Sequence, residues 1–353
     1  MTYQEIISLG LQKGISEIEV YAKTSTDKTL KVFGGNLESY NGKEIFSVSI
    51  RGLVNGKMGY ASCESLDENI INETLDKLIT AANLLTSTEV EEIYGEKVEY
   101  EKVTNLESDA ANYSLAEKTE FLKSLEQKAF AADERIKQVG YCQYVETEGE
   151  ISIINSKGIN LSRKYSYQVV VLGVVALENG KTNVGFTHKI ESCFKAFDAD
   201  KIVKESVEKA VSGLNADSVK SGSYPVILDQ EVASDIFNAF AVVFSGYAAM
   251  KNMTMLNGKK GEKVFGDNVT LIDDPFCEAS LIKVAFDDEA VPCKKTIKLS
   301  YDAYEYMTSK ESPEWYFKKD WPRLSATNRL ELHLQRLCDA NGGKSFNYTI
   351  LED

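Results

Sequence analysis

The N-terminal part of the chain switches between a helical and a strand-like spacing of apolar residues. A helix is predicted from about residue 3 to 13, where Ile6, Ile7, Leu9 and Leu11 are apolar and Gly14 stands at the C-cap position. Period-two runs then predict strands at residues 18–22, 29–33, 37–40 and 45–50, with turns at Gly34-Gly35, Asn41-Gly42 and Asn55-Gly56. The pattern closes with a helix over 65–85, with Ser65 as its N-cap and Glu68 at the capping-box position.

A second stretch repeats this order of elements. Ser114 and Glu117 form another capping box, which opens a predicted helix that runs to about residue 132. Strands are predicted at residues 136–146, 150–154, 160–165 and 167–177, and a helix at 199–214. Helix, antiparallel meander and helix in succession indicate an α+β fold class.

The third part of the chain begins after the small-residue segment Ser221-Gly222-Ser223. A short buried strand is predicted at 224–228, an apolar helix at 231–245 and a strand at 269–272. We therefore predict three domains, an N-terminal one at 1–107, a middle one at 108–220 and a β-rich C-terminal one at 221–353. After about residue 300 the composition changes, because both tryptophans and a cluster of arginines fall there, and we expect this end to be divergent or incomplete.

Charge and composition exclude several classes of partner. The formal net charge is −14 and no basic stripe is present, which argues against nucleic acid and against anionic membrane surfaces. The N-terminus shows no signal-peptide pattern, and the longest apolar stretch, near 169–177, is too short to span a bilayer. A cytoplasmic location is the expectation. The six cysteines form no CxxC pair and are expected to be reduced structural thiols.

The histidines limit the chemistry. A helical zinc-protease site needs two imidazoles one turn apart and a glutamate base, and the only histidines are His188 and His333. We therefore expect no catalytic residue and no metal or other cofactor in this chain.

Two carboxylate clusters are the remaining candidates for a site. They are Asp273-Asp274 before Pro275, and Asp287-Asp288-Glu289. Adjacent acids after short strands can bind a hard cation or contact a peptide, and they can equally cap the next turn by accepting backbone N–H bonds. We take the five residues as candidate substrate contacts and leave the capping alternative open.

Several motifs, in this order along the chain, resemble the TldD/PmbA family, known as modulators of DNA gyrase and as peptide-maturation proteases. They are Ser47-Val48-Ser49-Ile50-Arg51, Asn55-Gly56-Lys57-Met58-Gly59, Asn155-Ser156-Lys157-Gly158, Gly261-Glu262-Lys263-Val264-Phe265, Asp273-Asp274-Pro275 and Phe286-Asp287-Asp288-Glu289-Ala290-Val291-Pro292. Where the family has a glycine after the acidic run, this chain has Ala290, which would cost about 1 kcal/mol if the turn requires a positive φ.

The resemblance implies one of two kinds of subunit. TldD-like members carry a His-Glu-x-x-x-His helix that binds zinc, whereas the helix after residue 228 here has no histidine. The chain is thus similar to the PmbA (TldE) kind, which implies a partner that is either a zinc-bearing TldD-like subunit or a second copy in a dimer. Zinc is then expected only in the partner, and the substrate is expected to be an unfolded peptide. The alternative is a non-enzymatic, self-associating peptide-binding or scaffold protein.

Overall fold

The computed structural model describes residues 1–86, 91–259, 262 and 271–299. The described residues form two compact units, one within 1–96 and 104–221 and the other within 97–103 and 222–299. The end of the chain from residue 300, the motif at 261–265 apart from Glu262, and the first half of the predicted strand at 269–272 lie outside the described residues.

The larger unit contains two successive sets of helix, strands and helix. The first set is α1 (Tyr3–Gln12), β1 (Glu17–Phe33), β2 (Asn36–Val54), β3 (Lys57–Cys63) and α2 (Glu68–Leu84). The second is α3 (Leu115–Ala132), β4 (Ile136–Asn155), β5 (Asn160–Glu178), β6 (Lys181–Glu191) and α4 (Ala199–Ser212), with short 3-10 turns at Ala110–Asn112, Phe194–Ala196 and Gly213–Asn215. This confirms the predicted α+β class and the order of elements.

All six strands belong to one antiparallel sheet with the order β3-β2-β1-β4-β5-β6. The two sets are joined where β1 pairs with β4, from Glu19 opposite Asn155 to Lys31 opposite Gln143. One sheet therefore runs through both of the first two predicted domains.

The strands are longer than their sequence patterns suggested. The predicted hairpin turn at Asn41-Gly42 is wrong, because β2 continues through it and pairs Asn41 with Thr29 and Gly42 with Lys28. Each of β1, β4 and β5 likewise joins two predicted strands. A ladder partner on a neighbouring strand supplies hydrogen bonds to polar and glycine residues that would favour a turn in isolation.

Four helices cover one face of the sheet. Ile18, Val20 and Ala22 of β1 pack with α1 and α2 in one apolar cluster, and Leu30 of β1 packs with α3 and α4 in a second. These β1 residues all have even numbers, and because side chains alternate along a strand they point to the same side of it. The core is a helical layer on a sheet, divided along β1 into two halves.

Local capping chemistry fixes where the helices begin. Ser114 and Glu117 form the predicted capping box at the start of α3. The predicted Ser65 cap is wrong: Asp67 caps α2 by accepting from the N–H groups of Asn69 and Ile70. Ser65 instead accepts from the N–H of Asp67, which shows a local turn competing with the cap motif.

The smaller unit is built from short elements. They are α5 (Gln230–Phe240), a 3-10 turn (Ala241–Phe244), α6 (Gly246–Met250), β7 (Leu271–Asp273) and β8 (Thr296–Leu299), which pairs with β7. The predicted helix at 231–245 therefore ends early, at Phe240. No helix in the described part of the chain is both long and apolar enough to cross a bilayer.

The prediction of a buried strand at 224–228 is wrong. These residues form no strand, and Ile227 is 98% exposed. An apolar run becomes a buried strand only where a neighbouring element pairs with its backbone and covers its side chains, and no described strand pairs with this segment.

Candidate functional site

The acidic run Asp287-Asp288-Glu289 lies in a tight turn of the smaller unit. Phe286 and Pro292 face each other across the turn in an isolated antiparallel bridge. Inside it the N–H of Asp287 donates to Val291 O at 3.0 Å, and outside it the N–H of Cys293 donates to Ala285 O at 2.9 Å. We call residues 285–293 the acid turn.

Asp287 is the centre of this turn. Its Oδ1 accepts two backbone hydrogen bonds, from the N–H of Glu289 and from the N–H of Val291, both at 2.9 Å. The residue is 1% exposed, and its buried Oδ2 has no hydrogen-bond partner in the described structure. Burial raises the pKa of Asp287 to about 6, although the two backbone hydrogen bonds lower it.

At Ala290 the backbone of the acid turn has the positive φ whose cost the sequence analysis considered. Ala290 has φ +63°, in the left-handed region where glycine is favoured, and its side chain is fully buried. Its N–H donates to Asp287 O at 3.2 Å, which closes the turn. The turn does require a positive φ, so the alanine carries the expected strain.

Substitutions at Ala290 should separate strain from packing. Ala290→Gly relieves about 1 kcal/mol of strain, but it also removes a buried methyl worth about 0.8 kcal/mol, so the free energy of unfolding should change by less than about 1 kcal/mol. Ala290→Val adds a β-branched side chain at positive φ and should lower it by about 2 kcal/mol. Urea unfolding of the three proteins measures both values. A valine variant as stable as the parent would show that the turn is not strained.

Tyr100 is a residue of this site that the sequence patterns did not identify. Its Oη donates to Ala290 O at 2.7 Å, and its ring meets Phe286 edge-on with centroids 6.1 Å apart. The segment 97–103 therefore packs on the acid turn within the smaller unit. A signal was present, since Tyr100 is an aromatic residue within an otherwise charged connector, Glu99-Tyr100-Glu101-Lys102.

The other acid pair, Asp273 and Asp274, lies at the end of β7, and Asp274 caps the turn that follows. Asp273 ends β7 and is buried. Asp274 Oδ1 accepts from the N–H of Phe276 at 3.1 Å, and its Oδ2 lies 2.5 Å from Lys295 Nζ. Capping bonds, one of the two alternatives left open, are thus present in both acid clusters.

The five candidate residues belong to no metal-binding group formed by the described residues. Among the residues described, no group of three or more His, Cys, Asp or Glu side chains is arranged to hold a metal ion. The two clusters are connected through backbone, since the N–H of Val284 donates to Pro275 O at 3.1 Å. What the acids can do chemically is accept hydrogen bonds, and two of their oxygens, Asp274 Oδ1 and Asp287 Oδ1, already accept from backbone amides.

Zinc does not fit the helix where the family resemblance places it. The acidic side chains of α5 are Glu231 and Asp235, one turn apart, and the helix contains neither histidine nor cysteine. A catalytic zinc normally has imidazole or thiolate among three protein ligands. His188 is an exposed residue of β6 in the larger unit, and His333 lies outside the described residues.

Two of the five described cysteines, Cys142 and Cys293, are buried, and Cys193 is exposed. None of the described cysteines is in a disulfide. Cys142 is buried and its Sγ donates to Leu122 O at 3.2 Å. Burial raises the pKa of its thiol to about 12, which makes it unreactive at neutral pH.

Comparison with known proteins covers nearly the whole described chain. Three family models match in order: PmbA/TldA metallopeptidase domain 1 at residues 18–83, the central domain at 108–214 and the C-terminal domain at 221–299.

Individual relatives have low sequence identity to this chain, but their names agree with the three family models. A metalloprotease PmbA homolog from Haemophilus influenzae is 27% identical over 66% of this chain and 52% of its own length. The fold is similar to that of a Thermotoga maritima protein named as a modulator of a DNA gyrase, with a TM-score of 0.74 and 22% identity. It is also similar to TldE from Thermococcus kodakarensis, with a TM-score of 0.71 and 21% identity.

In both structural comparisons the match covers 84% of this chain and 67% of the other. The chain thus spans between about half and two thirds of the length of these relatives. The three matched domains, their order and the shared fold lead to one assignment: the chain belongs to the PmbA/TldD metallopeptidase family.

Proposed function

We propose that this chain is a subunit of a cytoplasmic TldD/PmbA-type peptidase that lacks its own catalytic zinc and works with a zinc-bearing partner. One observation carries the proposal: α5, the helix that follows residue 228, offers no imidazole. A metallopeptidase needs a metal that lowers the pKa of a bound water, and α5 provides only carboxylates. The partner would supply the zinc and therefore the hydrolytic step.

The role of this chain would be to hold an extended substrate. β3 pairs only with the segment of β2 from Val48 to Val54, so no described strand pairs with the outer edge of β2 over residues 36–47. Leu37 and Tyr40 are exposed on that segment. An open edge offers backbone N–H and C=O groups to an unfolded peptide, which can add as a further strand with little sequence specificity.

The test is co-expression with a homologue that carries the His-Glu-x-x-x-His helix, followed by a proteolysis assay on an unfolded peptide. We expect cleavage by the pair, no cleavage by this chain alone, and zinc in the partner only when each purified chain is analysed for metal. Cleavage by this chain alone, or stoichiometric zinc bound to it, would overturn the proposal.

A variant of the open edge tests the substrate-holding role in the same assay. Tyr40→Lys places a charge that disfavours strand addition, and it should raise the KM of the pair several-fold with little change in kcat. Phe130→Lys is the matched control, because Phe130 is also an exposed aromatic but lies on α3. Equal effects of the two substitutions would remove the edge from the proposal.

The same open edge also favours the alternative, a self-associating scaffold with no peptidase partner. Two copies could pair edge to edge through β2, as exposed edge strands commonly do. Under this alternative the chain would form dimers that Tyr40→Lys disrupts, and co-expression would produce neither a complex nor proteolysis. Analytical ultracentrifugation of the chain and the variant separates the two cases.

A further inference from the structure

We propose that the acid turn is a pH-sensitive latch, which holds the segment 97–103 through Tyr100 while the Asp287 carboxyl group is protonated and loosens when that group ionises. The inference goes beyond the proposed function and does not depend on a peptidase partner. It starts from a buried carboxylate oxygen that the turn itself leaves without a hydrogen bond.

The first step concerns the two oxygens of Asp287. Oδ1 is fully used, since it accepts from the N–H groups of Glu289 and Val291 at 2.9 Å. Oδ2 is buried and has no partner among the described residues. A buried anionic oxygen without a donor is unfavourable, whereas the protonated group stays neutral and keeps both bonds to Oδ1.

The charges around Asp287 also favour its protonated form. Asp288 and Glu289, on the turn itself, both raise the pKa of Asp287. From the segment 97–103, Tyr100 contacts the turn by donating its Oη hydrogen to Ala290 O. Lys295, the residue before β8, pairs with Asp274, with 2.5 Å between its Nζ and Asp274 Oδ2. The surroundings of Asp287 therefore favour its neutral form.

Ionisation destabilises the closed turn, because the cost of burying the charge beside Asp288 and Glu289 exceeds the strengthening of the two bonds to Oδ1. The turn is held by the Asp287–Val291 backbone bond and by the two bonds to Oδ1, and it holds Ala290 in a strained conformation. Opening would hydrate Asp287 and relax Ala290 at the same time. Because Tyr100 Oη donates to Ala290 O, an open turn also loses its contact with the segment 97–103.

The direction of the pH dependence follows from the two states. In the closed turn the pKa of Asp287 is raised to about 6, whereas an open, hydrated turn leaves it at its usual value, 3.8. The closed state therefore binds the proton more tightly. Closure is strongest below about pH 4, weakens as the pH rises to about 6, and changes no further above that. The difference of about 2 pKa units corresponds to roughly a 100-fold change in the opening constant.

Hydrogen exchange on the full chain tests the latch. Exchange of the amides of residues 285–293 is measured between pH 4 and pH 7.5 and corrected for the intrinsic dependence of exchange on pH. We expect protection in the parent protein to fall by roughly 100-fold over this range, and protection in Asp287→Asn to stay constant. Asp274→Asn is the matched control, since it also neutralises an acid that accepts a backbone N–H bond, and it should retain the parent's pH dependence. The same pH dependence in the parent and in Asp287→Asn would overturn the proposal.

A second measurement needs no variant and covers the case in which Asp287→Asn does not fold. The carboxyl carbon of Asp287 is followed by NMR in the parent protein as a function of pH. A midpoint near pH 6, accompanied by a change in the Tyr100 ring signals at the same midpoint, supports the latch. A midpoint near pH 4, or Tyr100 signals that do not change with Asp287, would contradict it.

Discussion

Replacing Gly185 with alanine is expected to lower the free energy of unfolding by about 3 kcal/mol, because the helix α4 lies directly against this glycine. A Cβ at position 185 would lie 1.8 Å from Ser206 O and 2.5 Å from Ala210 N. Both are backbone atoms of α4, so no side-chain rotation can make room. The helix must move away from β6, and it would lose contacts across the second apolar cluster.

The crossing of α4 over β6 is fixed by further bonds, which makes this movement costly. Asn183 Nδ2 donates to Lys209 O at 3.0 Å and to Ala210 O at 2.8 Å, which attaches the end of α4 to β6. Gly42→Ala is the matched control: Gly42 is also a strand glycine with ordinary φ, but a Cβ there would meet nothing within 4 Å. Its stability should be equal to or slightly above that of the parent. Urea unfolding of both variants decides the point, and equal stabilities would refute the close approach.

Replacing Gln168 with leucine is expected to lower the free energy of unfolding by about 4 kcal/mol, because it leaves several buried polar groups without partners. Gln168 is fully buried. Its Nε2 donates to Asp109 Oδ1 at 2.9 Å and to Ser192 O at 2.8 Å, and its Oε1 accepts from Tyr144 Oη at 2.6 Å. Leucine fills a similar volume but satisfies none of these atoms.

A double-mutant cycle distinguishes this cost from simple misfit. Tyr144→Phe removes the hydroxyl that Gln168→Leu leaves unpaired, so the double variant should be less destabilised than the sum of the two single changes by about 1–2 kcal/mol. Gln138→Leu, on an exposed position of β4, should change stability by less than about 0.5 kcal/mol. Strict additivity of the two single changes would show that the hydrogen bond between Tyr144 and Gln168 is energetically unimportant.

The sequence predicted the elements better than it predicted their lengths. Helix boundaries follow from local chemistry, and the Ser114 capping box marks the start of α3 correctly. Strand lengths depend on partners far away in sequence: Asn41-Gly42 alone predicts a turn, but Thr29 and Lys28 pair with these two residues in the sheet. The exposed segment at 224–228 is the opposite case, an apolar run with no described strand beside it.

For the candidate site, the sequence pointed to the two acid clusters as candidates but not to what their side chains contact. The positive φ at Ala290 could be expected from the family resemblance, because a glycine position is a statement about backbone conformation. The two bonds accepted by Asp287 Oδ1 could be expected from the ability of aspartate to cap turns. The unpaired Oδ2 and the contact with Tyr100 could not, because they depend on how a distant segment packs on the turn.

The pairing of β1 with β4 has a consequence for any attempt to dissect the chain. Two family domains, matched separately at 18–83 and 108–214, share a ladder that runs through the middle of the sheet. In either domain expressed alone, β1 or β4 would lose its partner strand and become an unpaired edge that is prone to aggregation. The two sequence domains are therefore expected to unfold together, in a single cooperative transition.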